Sequence, residues 1–251
     1  MLRFAHVTKS YDGVVAVEGV SMTALAGQIT AIVGPNGSGK STLFRIAAGF
    51  ELADRGTVSM NCGCPVVLSG KRIFEIARLG LGVSFQAPSI FSSLTAAENV
   101  LVASPDQLDD CGLEALFSVS RARSTEANAI ELAVAALEAV GLRGRGMTLA
   151  RELSIGEQKL LGLARVLEMK PSVLLLDEPL SGLHESMIPQ ITALLRVLAS
   201  KEQRTVVVIE HDREWVDENC DALFELRAGH MVDHGEKSRG IIASTSSSSD
   251  G

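Results

Sequence analysis

Along the chain, apolar and polar positions switch between a two-residue and a helical period. "LRFAHVT" and "VVAVEGVSM" read as short strands around the turn pair Asp12-Gly13. "QITAIVG", Gln28 to Gly34, is a third strand rich in β-branched residues; it runs into a glycine-rich loop, and a helix is predicted from about Lys40 to Ala48. "TVSM" and "LGVSF" predict further strands. Thr95-Ala96-Ala97-Glu98 is a capping box, in which each side chain satisfies a free backbone N–H of the first turn, and it opens the helical "ENVLVA". From about Pro105 to Arg151 the chain is rich in Ala, Leu and Glu with no strand pattern; "AIELAVAALEAVGL" is its clearest helix, closed near Gly141. In "RELSIGEQKLLGLARV", Ser154 with Glu157 forms a second capping box. Leu160, Leu163, Ala164 and Leu167 follow as an apolar stripe at helical spacing, and Lys170-Pro171 supplies the stop. The alternation then returns: strand "VLLLD", a helix near 186–200, strand "TVVVIE", helix "REWVDEN", then "ALFEL" and "HMVDHG". Strand and helix in turn predict a mostly parallel α/β sheet, interrupted by a helical lobe. The tail "STSSSSDG", 244–251, is low-complexity and expected to be disordered.

Composition narrows the picture. A chain of 251 residues is long enough to bury a large core without staples. The net charge is −7 and no basic, aromatic-rich face stands out, so direct binding to nucleic acid is not expected. The four cysteines, Cys62, Cys64, Cys111 and Cys220, form no disulfide pattern, and Cys62-Gly63-Cys64 has no partner pair at metal-binding spacing. A reduced, cytoplasmic setting is expected. "MLRFAHVTKSYDG" has no long apolar core of a secretory signal, and no run reaches the roughly 18 apolar residues of a membrane span. Any service to a membrane is expected from outside the bilayer.

The candidate chemistry begins at "GPNGSGKS", Gly34 to Ser41, which matches G-x-x-x-x-G-K-[ST] between a predicted strand and a predicted helix. Gly34, Gly37 and Gly39 let the backbone close around an anion, and successive N–H groups and the start of the helix point at it. Lys40 reaches β- and γ-phosphates, and the Ser41 hydroxyl is a ligand for Mg²⁺. "VLLLDEP" is a buried strand ending in two acids. Asp177 is placed to hold Mg²⁺ beside Ser41, and Glu178, one residue further out, to orient and deprotonate a water.

With these motifs the chain resembles the nucleotide-binding subunit of ATP-binding cassette (ABC) transporters over about residues 2 to 236. It carries Gln86 in "SFQAP", like the family's glutamine loop; "LSIGEQ", like the signature LSGGQ; and His211 in "VVVIEHD", like the switch histidine. Tyr11, the only tyrosine, lies where the family places an aromatic that stacks on adenine. The resemblance implies an α/β P-loop NTPase core with a mostly parallel sheet, an N-terminal antiparallel β subdomain and an α-helical subdomain inserted at about 90–165, within a domain spanning 1–243. It implies ATP and Mg²⁺ as cofactors, with Pro35, Asn36, Ser38 and Thr42 joining the phosphate loop, and Ser41, Gln86 and Asp177 as metal ligands. It implies Lys40, Gln86, Glu178 and His211 as catalytic residues. Two chains pair head to tail in this family, as a homodimer or with a sister ATPase. Ser154, Gly156 and Gln158 of the signature then belong to the partner's ATP. Transmembrane permease subunits are the implied partners, with a substrate-binding protein acting through them, at the cytoplasmic face of the inner membrane.

"SLTAAENVLVA", "LSIGEQKLLGLARVL" and "EHD" resemble the subfamily that drives importers of branched-chain amino acids and related amides or urea. Two departures stand out. Ile155 replaces the first signature glycine. His184 in "LSGLHES" stands where family members usually carry Asp or Asn, in a loop that spans the dimer interface. A histidine there still hydrogen-bonds and can make coupling depend on pH. The competing readings are an exporter ATPase, a soluble ABC protein, another P-loop enzyme and a subunit that binds but barely turns over.

Overall fold

The computed structural model describes residues 1–87, 89–104 and 130–232. The predicted tail at 244–251 and most of the Pro105–Arg151 stretch before residue 130 lie outside the described residues.

Two sheets share the chain. In the first, β1 (Leu2–Tyr11), β2 (Val14–Ala24), β4 (Arg55–Asn61) and β5 (Pro65–Val67) pair antiparallel in the order β2-β1-β4-β5. The turn at Asp12 and Gly13 works because both take positive φ, 47° and 84°. The second sheet runs β10-β9-β3-β8-β7-β6, built from β3 (Ile29–Val33), β6 (Leu81–Ser84), β7 (Val173–Asp177), β8 (Thr205–Ile209), β9 (Ala222–Arg227) and β10 (His230–Val232). It is parallel except for the β9–β10 edge pair.

Strands β3, β7 and β8 are buried at every position, as expected of parallel strands covered on both faces. Alternate residues enter two cores. Leu174, Leu176, Val206 and Val208 pack with α5 (Ile155–Glu168), α6 (Ile188–Arg196) and α7 (Arg213–Asn219). Val173, Leu175, Val207 and Ile209 pack with α1 (Lys40–Ala47) and the first sheet. Both capping boxes form: Thr95 and Glu98 open α3 (Ala96–Leu101), and Ser154 and Glu157 open α5. A helix over residues 130–139, α4, ends before Gly141, whose φ of 88° breaks it.

The predicted helix near 186–200 is three segments: a 3₁₀ turn at Glu185–Met187, α6, and a π-helical turn at Val197–Lys201. Pro189 at the start of α6 fixes where the α-helix begins. Strand β5 and the short helix α2 (Ile73–Arg78) were not legible in the sequence.

Candidate functional site

The loop Gly34 to Gly39 crosses from β3 into α1, and its glycines do different things. A Cβ on Gly34 would lie 2.1 Å from the Leu226 carbonyl oxygen, and one on Gly39 2.4 Å from that of Ala16. Gly37 faces open space and is held at φ 77°. The neighbouring backbone thus demands glycine at two positions and the turn conformation favours it at the third. Pro35 and Asn36 lie on the crest of the loop, Ser38 is buried with its hydroxyl unpartnered, and Thr42 is half-buried in the first turn. The Lys40 ammonium donates to the carbonyls of Gly34 at 2.8 Å and Pro35 at 2.9 Å. Burial pushes its pKa down, against the pull of Asp177 and Glu178.

Helices α3, α5 and α7 each begin on a side-chain cap, from Thr95, Ser154 and Asp212. Helix α1 begins on Gly39 with no side-chain cap and no acid in its first turn. Its first N–H groups point where a phosphate fits, and no side chain caps them.

Asp177 ends β7, and its Oδ2 accepts a 2.9 Å hydrogen bond from the Ser41 hydroxyl. The pair fits a divalent cation: two hard oxygen donors, one anionic, at the foot of a phosphate-shaped loop. Burial raises the Asp177 pKa, with the Ser41 hydrogen bond opposing. The sign follows. An acid whose folded pKa is raised destabilises the fold once ionised, so the penalty is absent below the ordinary value of 3.8 and grows as pH rises through the raised one. In cation-free protein, Asp177→Asn is therefore expected to raise the urea midpoint at neutral pH, with the gain shrinking as pH falls toward 3.8. A gain independent of pH counts against burial of the charge as its cause.

Glu178 leaves the strand with φ 50°, a left-handed conformation that costs about 1–3 kcal/mol and is held by its N–H donating to the Ile209 carbonyl at 2.9 Å. The turn aims the carboxylate between two partners. The Gln86 amide nitrogen donates to Oε2 at 2.9 Å, and His211 Nε2 lies 3.1 Å from Oε1. Since the carboxylate only accepts, that His211 nitrogen carries the proton. Gln86 follows β6, Glu178 follows β7 and His211 follows β8, so three adjacent strand ends converge on one acid.

One contributor was missed. Glu210 is buried, its Oε1 accepts from the Leu180 N–H at 3.0 Å, and burial raises its pKa. It ties the segment before His211 to the segment after Glu178. Its only sequence signal is an acid closing the apolar run "TVVVIE".

The signature residues sit apart from this cluster. Ser154 Oγ accepts from the Glu157 N–H at 3.3 Å, so it serves its own helix. Gly156 packs under the Gly182 carbonyl, 3.1 Å from where a Cβ would stand, and Lys159 donates to the Ser181 carbonyl at 2.6 Å. Gln158, expected at the partner's ATP, serves its own helix start within this chain, as Ser154 does. Its amide nitrogen turns back to the carbonyls of Leu153 at 3.0 Å and Ala150 at 3.3 Å, closing the 3₁₀ turn before the helix. Ile155 is largely exposed at the helix start. His184 acts as a cap, as Asp or Asn would: its Nδ1 accepts from the Ser186 N–H at 3.3 Å. Tyr11 is half-exposed on the β1–β2 hairpin, with the Lys9 ammonium 5.4 Å from its ring centre. The same hairpin presents Ala16 to Gly39 of the phosphate loop. Cys62 and Cys64 are exposed free thiols, and no cluster of metal-type side chains occurs among the described residues.

A phosphate loop heading a helix, a hydroxyl–carboxylate pair at its foot and an acid gripped by an amide and an imidazole define a nucleotide-hydrolysing protein of the P-loop α/β class. The ABC transporter family matches residues 17–181, and the chain belongs to that family as an ATP-binding, ATP-hydrolysing subunit. It is 33% identical to the high-affinity branched-chain amino acid transport ATP-binding protein BraF of Pseudomonas aeruginosa, over 91% of this chain and 89% of that one. It is 30% identical to the corresponding LivG protein of Escherichia coli, over 90% and 87% of the two chains. In structure it is similar to the ATP-binding cassette MJ0796 in a dimeric post-hydrolysis state bound to ADP and Pi, with TM-score 0.81, 27% identity, and 96% and 100% of the two chains covered. The ADP conformation of the cassette MJ1267 matches with TM-score 0.76 at 28% identity, over 94% and 91%. No helix among the described residues is long and apolar enough to cross a membrane.

Proposed function

We propose that this ATPase powers import of branched-chain amino acids or a related amide or urea, through permease subunits it meets at the cytoplasmic face of the inner membrane. The names of BraF and LivG support the substrate class. The observation that carries the mechanism is the Glu178 carboxylate, held by Gln86 and His211 one residue beyond the Ser41–Asp177 pair.

The residues divide the work. Lys40 and the backbone N–H groups from Gly34 to Thr42 bind the phosphates, and Tyr11 stacks on the base. Ser41 Oγ, Asp177 and the Gln86 amide oxygen would hold Mg²⁺, which supplies charge neutralisation on the phosphate oxygens. Glu178 takes a proton from the attacking water. His211 donates from Nε2, which holds Glu178 before ATP arrives and suits a γ-phosphate oxygen afterwards. A second copy or a sister ATPase contributes Ser154 and the Gly156 N–H to the same phosphate, so closure lasts as long as the γ-phosphate. To make that contact, Ser154 gives up its bond to the Glu157 N–H.

Isolation of the tagged full chain from native membranes under mild detergent tests the reading. A co-isolated pair of multi-span proteins, whose ATPase activity rises with a branched-chain amino acid and its binding protein, is the expected result. Recovery from the soluble fraction alone overturns it and leaves the nucleotide chemistry in place.

A further inference from the structure

The turn that carries Glu178 is held from one place, the end of β8. The Glu178 N–H donates to the Ile209 carbonyl at 2.9 Å. Pro179 has no N–H to give. The Leu180 N–H donates to the Glu210 side chain, Oε1, at 3.0 Å. Two consecutive residues, Ile209 and Glu210, therefore fix the turn on both sides of Pro179. The first bond uses a backbone carbonyl, which any residue at 209 supplies. The second needs a side-chain acceptor at 210.

Glu210 is also the residue before His211. Asp212, after it, caps α7 by accepting from the Trp215 N–H at 3.1 Å. His211 thus hangs between two anchored acids. Its side chain is 44% exposed, so packing leaves much of the ring free. Its reach of 3.1 Å to Glu178 Oε1 then depends on how the backbone is held on either side. Glu210 itself is 4% exposed. Burial raises its pKa; the backbone N–H groups of Leu180 and His211 oppose that, and the charge of Glu178 adds to it. A carboxyl buried beside a second acid is unfavourable unless N–H groups meet it. Here those N–H groups belong to the two segments that carry Glu178 and His211.

We propose that Glu210 is a positioning residue for hydrolysis: it pins the turn after Glu178 to the segment holding His211, and so sets how the two side chains meet. It acts through that pair, and the inference rests on the roles given to the pair above.

The test compares the full chain as wild type, Glu210→Gln and Glu210→Met, by single-turnover ATP hydrolysis and by ATP titration, with thermal unfolding to show that each variant folds. Glu210→Gln keeps the reach and an acceptor oxygen, and its rate should stay near wild type. Glu210→Met keeps the volume and loses the acceptor. It should slow single turnover by about tenfold to a hundredfold, the scale of a catalytic group displaced by about 1 Å, with ATP affinity unchanged. In a Glu178→Gln background, Glu210→Met should slow the reaction no further, because the pair it positions is already broken. A wild-type rate in Glu210→Met overturns the inference. So does a rate in Glu210→Gln as low as in Glu210→Met, since the charge and not the hydrogen bond would then matter. A full further loss in the Glu178→Gln background, or an equal loss of ATP affinity, marks a general structural role and overturns it as well. Glu210→Asp, which withdraws the oxygen by one methylene, takes the place of Glu210→Met where the latter does not fold. Unchanged single turnover in Glu178→Gln alone removes Glu178 as the base, and this inference with it.

Discussion

Glu178→Gln is expected to lower kcat for ATP hydrolysis by about 10² to 10⁴ while leaving ATP affinity nearly unchanged. The substitution keeps shape and the left-handed backbone, so the φ of 50° and the N–H bond to Ile209 survive. What changes is one oxygen. Glu178 accepts from Gln86 on one side and His211 on the other, and an amide turns a donor toward one of them. An amide also cannot take a proton from water. Affinity is spared because the phosphates rest on the loop from Gly34 to Thr42. Single-turnover hydrolysis with a separate binding titration separates the two quantities. Unchanged single-turnover rates would remove Glu178 from the role of base.

Lys40→Ala is expected to act earlier, weakening ATP binding by about 10- to 100-fold, the size of a charge-assisted hydrogen bond lost to a phosphate. The ammonium is held ready for a phosphate, 6% exposed and bound only to the carbonyls of its own loop. An incoming nucleotide offers it a full negative charge in their place. Burial lowers the Lys40 pKa, so the charged amine does not stabilise the unliganded fold. The variant should therefore unfold no more easily than wild type without nucleotide, and lose the stabilisation ATP confers. A fluorescent ATP analogue and a melting curve measure both. Wild-type affinity in the variant would show that the backbone N–H groups suffice.

The parts legible in the sequence were local ones. The phosphate loop spans eight residues, of which Gly34, Gly37, Gly39, Lys40 and Ser41 answer a backbone, charge or ligand requirement, and both capping boxes lie within four residues. Strands such as "VLLLD" announced themselves because both faces are buried. Strand order β10-β9-β3-β8-β7-β6 joins segments far apart, and no local pattern encodes it. Strand β5 and helix α2 are three and six residues long, too short for either period to repeat. Glu210 was hidden because an acid closing a strand reads as the end of the buried run, although it is 4% exposed and faces the Leu180 N–H. The brace that the Gln158 amide makes to the turn behind it joins residues five and eight apart and has no periodic signal in "LSIGEQ".

The bare start of α1 bears on how the protein is handled. Every helix beginning on Thr95, Ser154 or Asp212 is complete when the chain folds, whereas α1 is completed by whatever anion occupies its loop. At a hundred times its dissociation constant, a ligand that binds only the folded chain adds about 2.7 kcal/mol of stability. A preparation washed free of nucleotide is therefore a less finished object than one stored with it. Its melting temperature becomes a gauge of how much nucleotide remains, and phosphate or sulfate buffers will read on that gauge as well.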